Sequence, residues 1–430
     1  MHRTVGLVAA CAFALVPGIS SAADEAAGWG DLSDFSERQQ VFDTKVYGFI
    51  DSYFEKVAET PAGVDGTGRT IWEENPGEFD VANFNVMVQG SISNKYRYFI
   101  NLAAPGAGGH SSDEAVGVRN AWVEMPVAGR FLAVRFGKMY RRFGLYNEML
   151  DATPTFIGIE PPELFDKDHL MVTRTTNLML HGTAPLGNQT LVYSVSTGND
   201  EKAGDAVPIG ADVHIDFSGV AKVGTSYYDT NGAAEPTSGM GDGSPRGGVI
   251  NWMSEDDYQV FGGYAQLTSG GLTLQGEYWA SPHSAVRDEE SLLALADAGL
   301  NARQSARYFV DGDPENGVND GKVTYVVQTW YGRAGYQIPV GDKASITPYG
   351  QVDYYSNPET IAEKDFGGDN EAGLSDDGRF FKYTAGTVIR PVPQVALKLD
   401  GSAHAHLYNG EPVVYPEVRV SLSYLWQLAD

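Results

Sequence analysis

His404 and His406 stand two residues apart in a run that alternates apolar and polar residues. A strand aims residues i and i+2 at one face, where two imidazoles can share a metal ion. No third ligand accompanies them, so the plainer expectation is that both line an interior. The stretch Asp311-Gly312-Asp313-Pro314-Glu315-Asn316-Gly317 resembles a calcium loop, but its glycine comes one place late and Lys322 occupies the bidentate position of an EF-hand. The expected role of such acids is a solvated face that holds Ca²⁺ or Mg²⁺ loosely between lipid phosphates, with no resident cofactor and no specific metal site. Asn188-Gln189-Thr190 matches a glycosylation sequon but falls at a tight turn. The sequence contains no Walker loop, no HExxH and no GxSxG, so it offers no nucleophile, metal or phosphate motif of an enzyme.

The elements that must position these residues are strands. Period-2 alternation recurs along the chain, with runs starting near 44, 80, 95, 116, 131, 174, 189, 211, 220, 258, 272, 323, 344, 379, 394 and 416. Most runs are about 9–14 residues long, the length a tilted strand needs to cross a bilayer. Ser93-Asn94, Ser218-Gly219, Ser269-Gly270-Gly271, Val340-Gly341-Asp342 and Pro391-Val392-Pro393 join pairs of runs, and each contains a residue suited to a tight turn. Longer joints alternate with these, over 57–79, 105–115, 140–169, 198–210, 230–257, 282–322, 356–378 and 408–415. Short turns on one side and long loops on the other are the signature of an outer-membrane barrel. The predicted fold is therefore all-β: a transmembrane antiparallel β-barrel of about 16 strands with long outer loops and short periplasmic turns.

Charge sorts in the same way. The chain has 430 residues, 56 Asp and Glu, 30 Lys and Arg, and a formal net charge of −26. The eight long joints hold 37 of the acids against 11 bases, so the acidity belongs to one face. That balance excludes nucleic acid as a partner, because phosphates need cationic contacts. Residues 1–23 read as a cleaved signal peptide: Arg3, an apolar Val5–Val16 core, then Ser21-Ala22-Ala23. The sole cysteine, Cys11, lies within it. The expected organisation is 1–23 signal, 24–43 an acidic segment, and 44–430 one barrel. Residues 284–306 read as a helix in the sixth long joint, capped by Ser284.

Facing completes the reading. Val418, Val420, Leu422, Tyr424 and Trp426 share one face of the last strand, opposite Arg419, Ser421 and Ser423. Lys398, Asp400, Ser402, His404 and His406 oppose Val395, Leu397 and Leu399, and Thr273, Gln275 and Glu277 oppose Leu272, Leu274 and Tyr278. A polar interior inside an apolar wall suits a water-filled channel. Tyr53, Tyr228, Tyr354, Tyr355 and Trp426 are candidates for aromatic girdles at the membrane boundaries. Two runs break the pattern: one around Arg119 and Ala121, the other at Gln328.

Val46-Tyr47-Gly48-Phe49-Ile50-Asp51 resembles the first-strand signature of Gram-negative general porins, and Gly129–Glu148 resembles the strand-to-third-loop segment of phosphate-selective and related porins, with Arg141-Arg142-Phe143-Gly144-Leu145 lacking the usual proline. The last strand also lacks the terminal aromatic of the family. The resemblance implies that loop 140–169 folds inward and narrows the lumen, with Arg141, Arg142, Glu148, Asp151, Glu160, Glu163 and Asp166 at the constriction. It also implies a basic wall opposite; by facing, the candidates are Arg119, Arg135, Lys222, Arg333, Lys382, Arg390, Lys398 and Arg419. A homotrimer embedded in outer-membrane lipid and lipopolysaccharide is implied as well.

The expected function is passive diffusion of small hydrophilic solutes and ions. An anion- or phosphate-selective channel is the nearest alternative. A surface adhesin and an outer-membrane barrel enzyme are rivals from other classes; the latter needs a Ser-His pair at the lipid boundary, which the facing pattern does not supply.

Overall fold

The computed structural model describes residues 42–428, except 94, 106–115, 150–152, 160, 163–173, 200–206, 233–252, 299, 301, 320 and 360–373. The expected signal peptide and nearly all of the acidic segment lie outside the described residues.

Residues from Asp43 onward form one unit. Its wall begins with β1 (Phe42–Val57). A small hairpin, β2 (Glu59–Val64) and β3 (Thr70–Glu74), occupies the first long joint. The wall continues through β4 (Glu78–Ile92), β5 (Tyr96–Pro105), β6 (Gly117–Ala128), β7 (Leu132–Tyr140), β8 (Arg174–Leu186), β9 (Gln189–Asn199), β10 (Ile209–Phe217), β11 (Ala221–Asp229), β12 (Met253–Ser269) and β13 (Leu272–Arg287). Two helices follow, α1 (Glu289–Ala298) and α2 (Ala302–Tyr308). Then come β14 (Lys322–Tyr336), its short continuation β15 (Ile338–Val340), β16 (Ala344–Ser356), β17 (Arg379–Val392), β18 (Val395–Tyr408) and β19 (Glu411–Gln427).

Each wall strand pairs antiparallel with the next. β1 closes the ring against β19, from Tyr47 opposite Gln427 to Val57 opposite Glu417, and also pairs with β4. Counting β14 and β15 as one, sixteen strands form a closed barrel. Closure leaves the barrel wall no open edge, the condition for a sheet in lipid.

The hairpin turns follow from local chemistry. Ser218 and Gly219 have φ of 58° and 75°, the left-handed pair of a two-residue turn that matches strand twist. Asn409 and Gly410 do the same at 53° and 77°. This corrects the expectation of a loop over 408–415: β18 and β19 run into each other through that Asn-Gly turn. The helix expected over 284–306 is likewise shorter and split. Ser284–Arg287 stays in β13, paired with β12 and β14, because ladder hydrogen bonds outcompete a local helix there. Asp288, not Ser284, accepts the first helical N–H groups, from Ser291.

The facing is polar inside and apolar outside. On β19, Glu417, Arg419, Ser421 and Ser423 are at most 5 % exposed, whereas Val418, Leu422 and Tyr424 exceed 50 %. Burying charge and exposing valine and leucine is the reverse of a soluble core and fits a wall standing in lipid. The irregular run in β6 is a bulge: Asn120 opposes Asn101 and Val118 opposes Leu102, leaving Arg119 as the extra residue. The girdle expectation needs correction. Tyr228 and Tyr355 are buried inside. Tyr354 packs against Trp330 at 5.8 Å and Phe381 at 4.9 Å between ring centroids, and Phe381 stacks on Tyr383; exposed Tyr383 places this belt on the outside.

Candidate functional site

The chain leaves β7 at Tyr140 and crosses the lumen. Gly144 turns it with φ of +62°. A Cβ at this position would lie 2.1 Å from the Glu277 carboxylate and 3.1 Å from the Trp279 ring, so glycine supplies both the conformation and the room. The Gly144 N–H donates to Ser226 Oγ on β11 at 3.0 Å. The Leu145 N–H donates to Glu277 Oε1 on β13 at 3.1 Å, and the Tyr146 hydroxyl donates to Gln275 Oε1 at 2.8 Å. Arg333 on β14 donates to the same hydroxyl. Burial pushes the Tyr146 phenol above its ordinary pKa.

Further along, the wall grips the segment's backbone. Arg390 on β17 donates to the Pro154 carbonyl at 2.5 Å, and Lys398 on β18 donates to the Gly158 carbonyl at 2.7 Å. The Ile159 N–H donates to Asp400 Oδ2 at 2.9 Å. Seven wall side chains on five strands thus bind one crossing segment. Its apolar side chains pack inward: Phe143 on Trp279 at 4.4 Å between centroids, Tyr146 on Phe156 at 5.4 Å and on Tyr331 at 6.0 Å.

A second element joins this core. Leu292 of α1, Tyr308 of α2 and Phe309 are fully buried in the same cluster as Phe143, Trp279 and Tyr331. The helices are clamped by charge. Glu359, itself fully buried, accepts from Arg287 at 3.0–3.2 Å and pairs with Arg307 at 2.5 Å. The Tyr308 hydroxyl donates to the Glu359 carbonyl, and Arg303 reaches the carbonyls of Pro358 and Ser375 at 3.3 and 3.2 Å. Burial, reinforced by the Glu359 carboxylate, raises the Tyr308 phenol, and burial lowers the Arg303 guanidinium.

The expected wall bases are placed as follows. Arg333, Arg390 and Lys398 hold the crossing segment as above. Arg135 pairs with Glu124 at 2.8 Å and Glu148 at 3.3 Å, and lies over the Trp122 ring. Lys382 is 3.6 Å from Glu417; Arg419 lies 2.5 Å from Glu417 and 3.1 Å from Glu55. Lys222 is half-buried at the start of β11, and Arg119 is the bulge residue. Of the loop residues, Arg142 pairs with Glu148 at 3.1 Å, and buried Arg141 donates to Ser196 Oγ at 3.1 Å. Asp151, Glu160, Glu163 and Asp166 lie outside the described residues.

Sequence reasoning passed over the wall acids. Glu124, Glu277, Asp400 and Glu417 either neutralise wall bases or accept loop N–H groups. A signal was available: Lys398/Asp400 and Glu417/Arg419 are opposite charges two apart on one strand face.

His404 Nε2–H donates to Glu417 Oε2 at 2.9 Å and its ring stacks on Tyr415, so it lines the interior. Asp313 caps a short turn by accepting the Glu315 N–H. Among the described residues, no group of three or more His, Cys, Asp or Glu is gathered as a metal site.

One trio has the contacts of a hydrolase triad. Ser281 Oγ lies 2.9 Å from His283 Nε2, and His283 Nδ1 lies 2.9 Å from Asp256 Oδ2. However, the Ser281 hydroxyl donates to the Gln259 carbonyl at 2.8 Å. That bond directs the serine hydrogen at a backbone carbonyl and away from His283. Ser281 and Asp256 are fully buried, and the imidazole is sandwiched between Tyr258 and Tyr325. The arrangement is a sealed structural network.

Beyond the crossing segment, Pro161 and the inner faces of β16–β19 bound a narrow recess lined by Tyr349, Gln351, Lys382, Thr384, Asp400, Ser402 and Arg419.

No family model and no curated relative matches the chain by sequence. Solved structures do match in fold. The anion-selective porin of Comamonas acidovorans superposes with a TM-score of 0.52 at 12 % identity, over 90 % of this chain and all of that one. The trimer form of OmpT, an outer-membrane protein of Vibrio cholerae, gives 0.51 at 10 % identity, over 90 % and 99 %. At such identities the likeness establishes the fold, that of Gram-negative outer-membrane porins and channels.

Proposed function

We propose that this chain is exported by its N-terminal signal and acts in the outer membrane of a Gram-negative bacterium as a passive diffusion channel for small hydrophilic solutes and ions, without chemical turnover. The observation that carries the reading is the reversed facing of the wall: charged and hydroxyl side chains inside, valine, leucine and tyrosine outside, around a closed sixteen-strand ring. Sixteen strands enclose enough space for an aqueous lumen.

The crossing segment 140–162 and the clamped helices narrow that lumen by filling the side next to β11–β17 with an aromatic core. The constriction residues are Arg141, Arg142 and Glu148 with the wall bases Arg135, Lys382 and Arg419, and the acids Asp151, Glu160, Glu163 and Asp166 belong to the same loop. The trimer form of the Vibrio neighbour supports a homotrimer here, with the outer aromatic belt in contact with lipid and lipopolysaccharide.

The test is single-channel conductance of the protein refolded into a planar bilayer, with the reversal potential under a salt gradient. Stable ohmic steps smaller than those of an unobstructed sixteen-strand pore are expected. A folded, heat-modifiable barrel that passes no current overturns the reading.

A further inference from the structure

We infer that the channel rectifies: at low salt its open pore passes more current when the long-joint end is positive than at the opposite voltage. This rests on the channel reading above and gives its ion flow a direction.

The wall charges separate along the barrel axis. Six inward bases, Lys45, Arg97, Arg135, Lys222, Arg390 and Lys398, lie within five residues of the short-turn end of their strand. Asp43, Glu124 and Asp216 are the inward acids at that depth, so this end of the wall has three bases in excess. Asp43 and Lys45 belong to this end because β1 enters the ring there, with Tyr47 opposite Gln427 at the close of β19. The short turns themselves add Lys95, Arg130 and Lys343 against Asp342. At the long-joint end, the same depth of wall holds Glu55, Asp212, Asp256 and Asp353 against Arg287 and Lys382, with Arg119 set out of alternation by its bulge.

Accessibility sharpens the contrast. Lys45 and Arg97 are exposed and Lys222 is half-buried. Arg390 donates to the Pro154 carbonyl, a neutral group that leaves its charge in place. The long joints carry 37 acids against 11 bases, with Glu73, Glu74, Glu289 and Glu290 exposed, whereas Arg287 and Arg307 are spent on buried Glu359.

Such a lumen has two zones. Rings of charge select the ion that enters, so cations gather at the acidic end and anions at the basic end. A voltage positive at the acidic end drives cations in from that end and anions in from the other. Both move toward the middle, and the salt in the lumen rises. The opposite voltage draws both outward and depletes it. The crossing segment narrows the lumen and so brings permeating ions within a Debye length of the wall, about 10 Å at 0.1 M salt. At 1 M that length falls to about 3 Å, the zones are screened, and the steps become ohmic.

The test is the instantaneous open-channel current in a planar bilayer at equal and opposite voltages, in symmetric 0.1 M and 1 M KCl. Orientation is fixed by Glu74→Cys on β3, the single thiol of protein refolded from residue 24 onward, which a bulky impermeant thiol reagent reaches from one chamber only. At 0.1 M the two currents should differ by about twofold or more, since local potentials reach several kT, with the larger current when the long-joint side is positive. At 1 M they should be equal. Lys45→Gln, Arg97→Gln and Lys222→Gln together remove the excess of three bases and should abolish the asymmetry; retained heat-modifiable mobility shows that this variant folds. Equal currents at 0.1 M overturn the inference, as does an asymmetry of opposite sign. So does one that persists at 1 M, or one that the triple variant keeps. Absence of any ion current in the folded native barrel removes the channel reading itself, and this inference with it.

Discussion

The Leu145 N–H donates to Glu277 Oε1 at 3.1 Å, joining the root of the crossing segment to β13 across 132 residues of sequence. The same carboxylate accepts from the Tyr331 hydroxyl at 2.8 Å and the Trp279 indole at 3.2 Å, so one buried acid organises a turn, a wall strand and the aromatic core. Glu277→Ala leaves three buried donors without their acceptor. The expected loss is about 2–4 kcal/mol, since each buried donor left unsatisfied costs about 1–3 kcal/mol and the costs are not additive. The loosened segment should raise single-channel conductance and current noise, and the heat-modifiable gel transition should fall in temperature. A variant with native conductance and native transition would show that the acid does not hold the segment.

Gly144 tests the same joint from the loop side. Gly144→Ala forces a side chain at φ of +62° and places Cβ against Glu277. Left-handed backbone costs a non-glycine residue about 1–2 kcal/mol before any clash. The expected outcome is the same rise in current noise as in Glu277→Ala, and the double variant should be less than additive because both changes break one contact. Full additivity in conductance and melting would separate the two sites.

Much of this architecture is legible in sequence, and the limits are physical. Period-2 alternation locates the strands because lipid on one side and polar contacts on the other impose it on every wall residue. Ser218-Gly219 marks its turn because only a few residues tolerate two positive φ angles. The Arg119 run shows as an irregularity, and the structure resolves it as a bulge. What alternation does not carry is the partner of an inward side chain. Tyr228 and Tyr355 read as girdle residues because β-propensity favours tyrosine on either face; their burial depends on Phe143 and Leu292, distant in the chain. Nor does local pattern join Lys398 to Gly158 or Ile159 to Asp400, about 240 residues apart, because that pairing exists only once the barrel closes.

The Glu359 clamp should behave as a single unit. Glu359→Gln keeps the shape but leaves Arg287 and Arg307 facing a neutral amide at a buried site. Breaking a buried ion pair by changing one partner costs about 3–5 kcal/mol, and the amide retains part of the hydrogen bonding. Local opening of α1 and α2 is expected rather than loss of the barrel, because the wall pairing is untouched. Limited proteolysis should then cut within 288–320 at rates that leave the native protein intact. Equal resistance in both proteins would remove the clamp from the forces that hold these helices.

The two faces of β19 give a sharper test of which side meets lipid. Leu422 is 52 % exposed on the outer face and Ser423 is fully buried on the inner. Leu422→Arg should lower the yield of refolding into lipid vesicles, since an arginine on the lipid face costs about 2–4 kcal/mol near the midplane. Leu422→Phe should refold normally. If the arginine variant inserts as well as the native chain, the outer face of β19 does not stand in hydrocarbon.

Ser281 decides between a channel and a hydrolase on one observation. Its distances to His283 and onward to Asp256 are those of a nucleophile and base, yet its hydrogen is donated to the Gln259 carbonyl and no surface of it is exposed. A serine so placed should not react with a fluorophosphonate probe, because attack requires an accessible oxygen whose proton the histidine can take. Mass spectrometry after probe treatment should therefore find Ser281 unmodified. Ser281→Ala should lower stability modestly, by about 1–3 kcal/mol, because the buried Gln259 carbonyl and His283 Nε2 lose their shared partner. A covalent adduct at Ser281 that Ser281→Ala and His283→Ala both abolish would assign the barrel a hydrolytic activity and displace the purely passive reading.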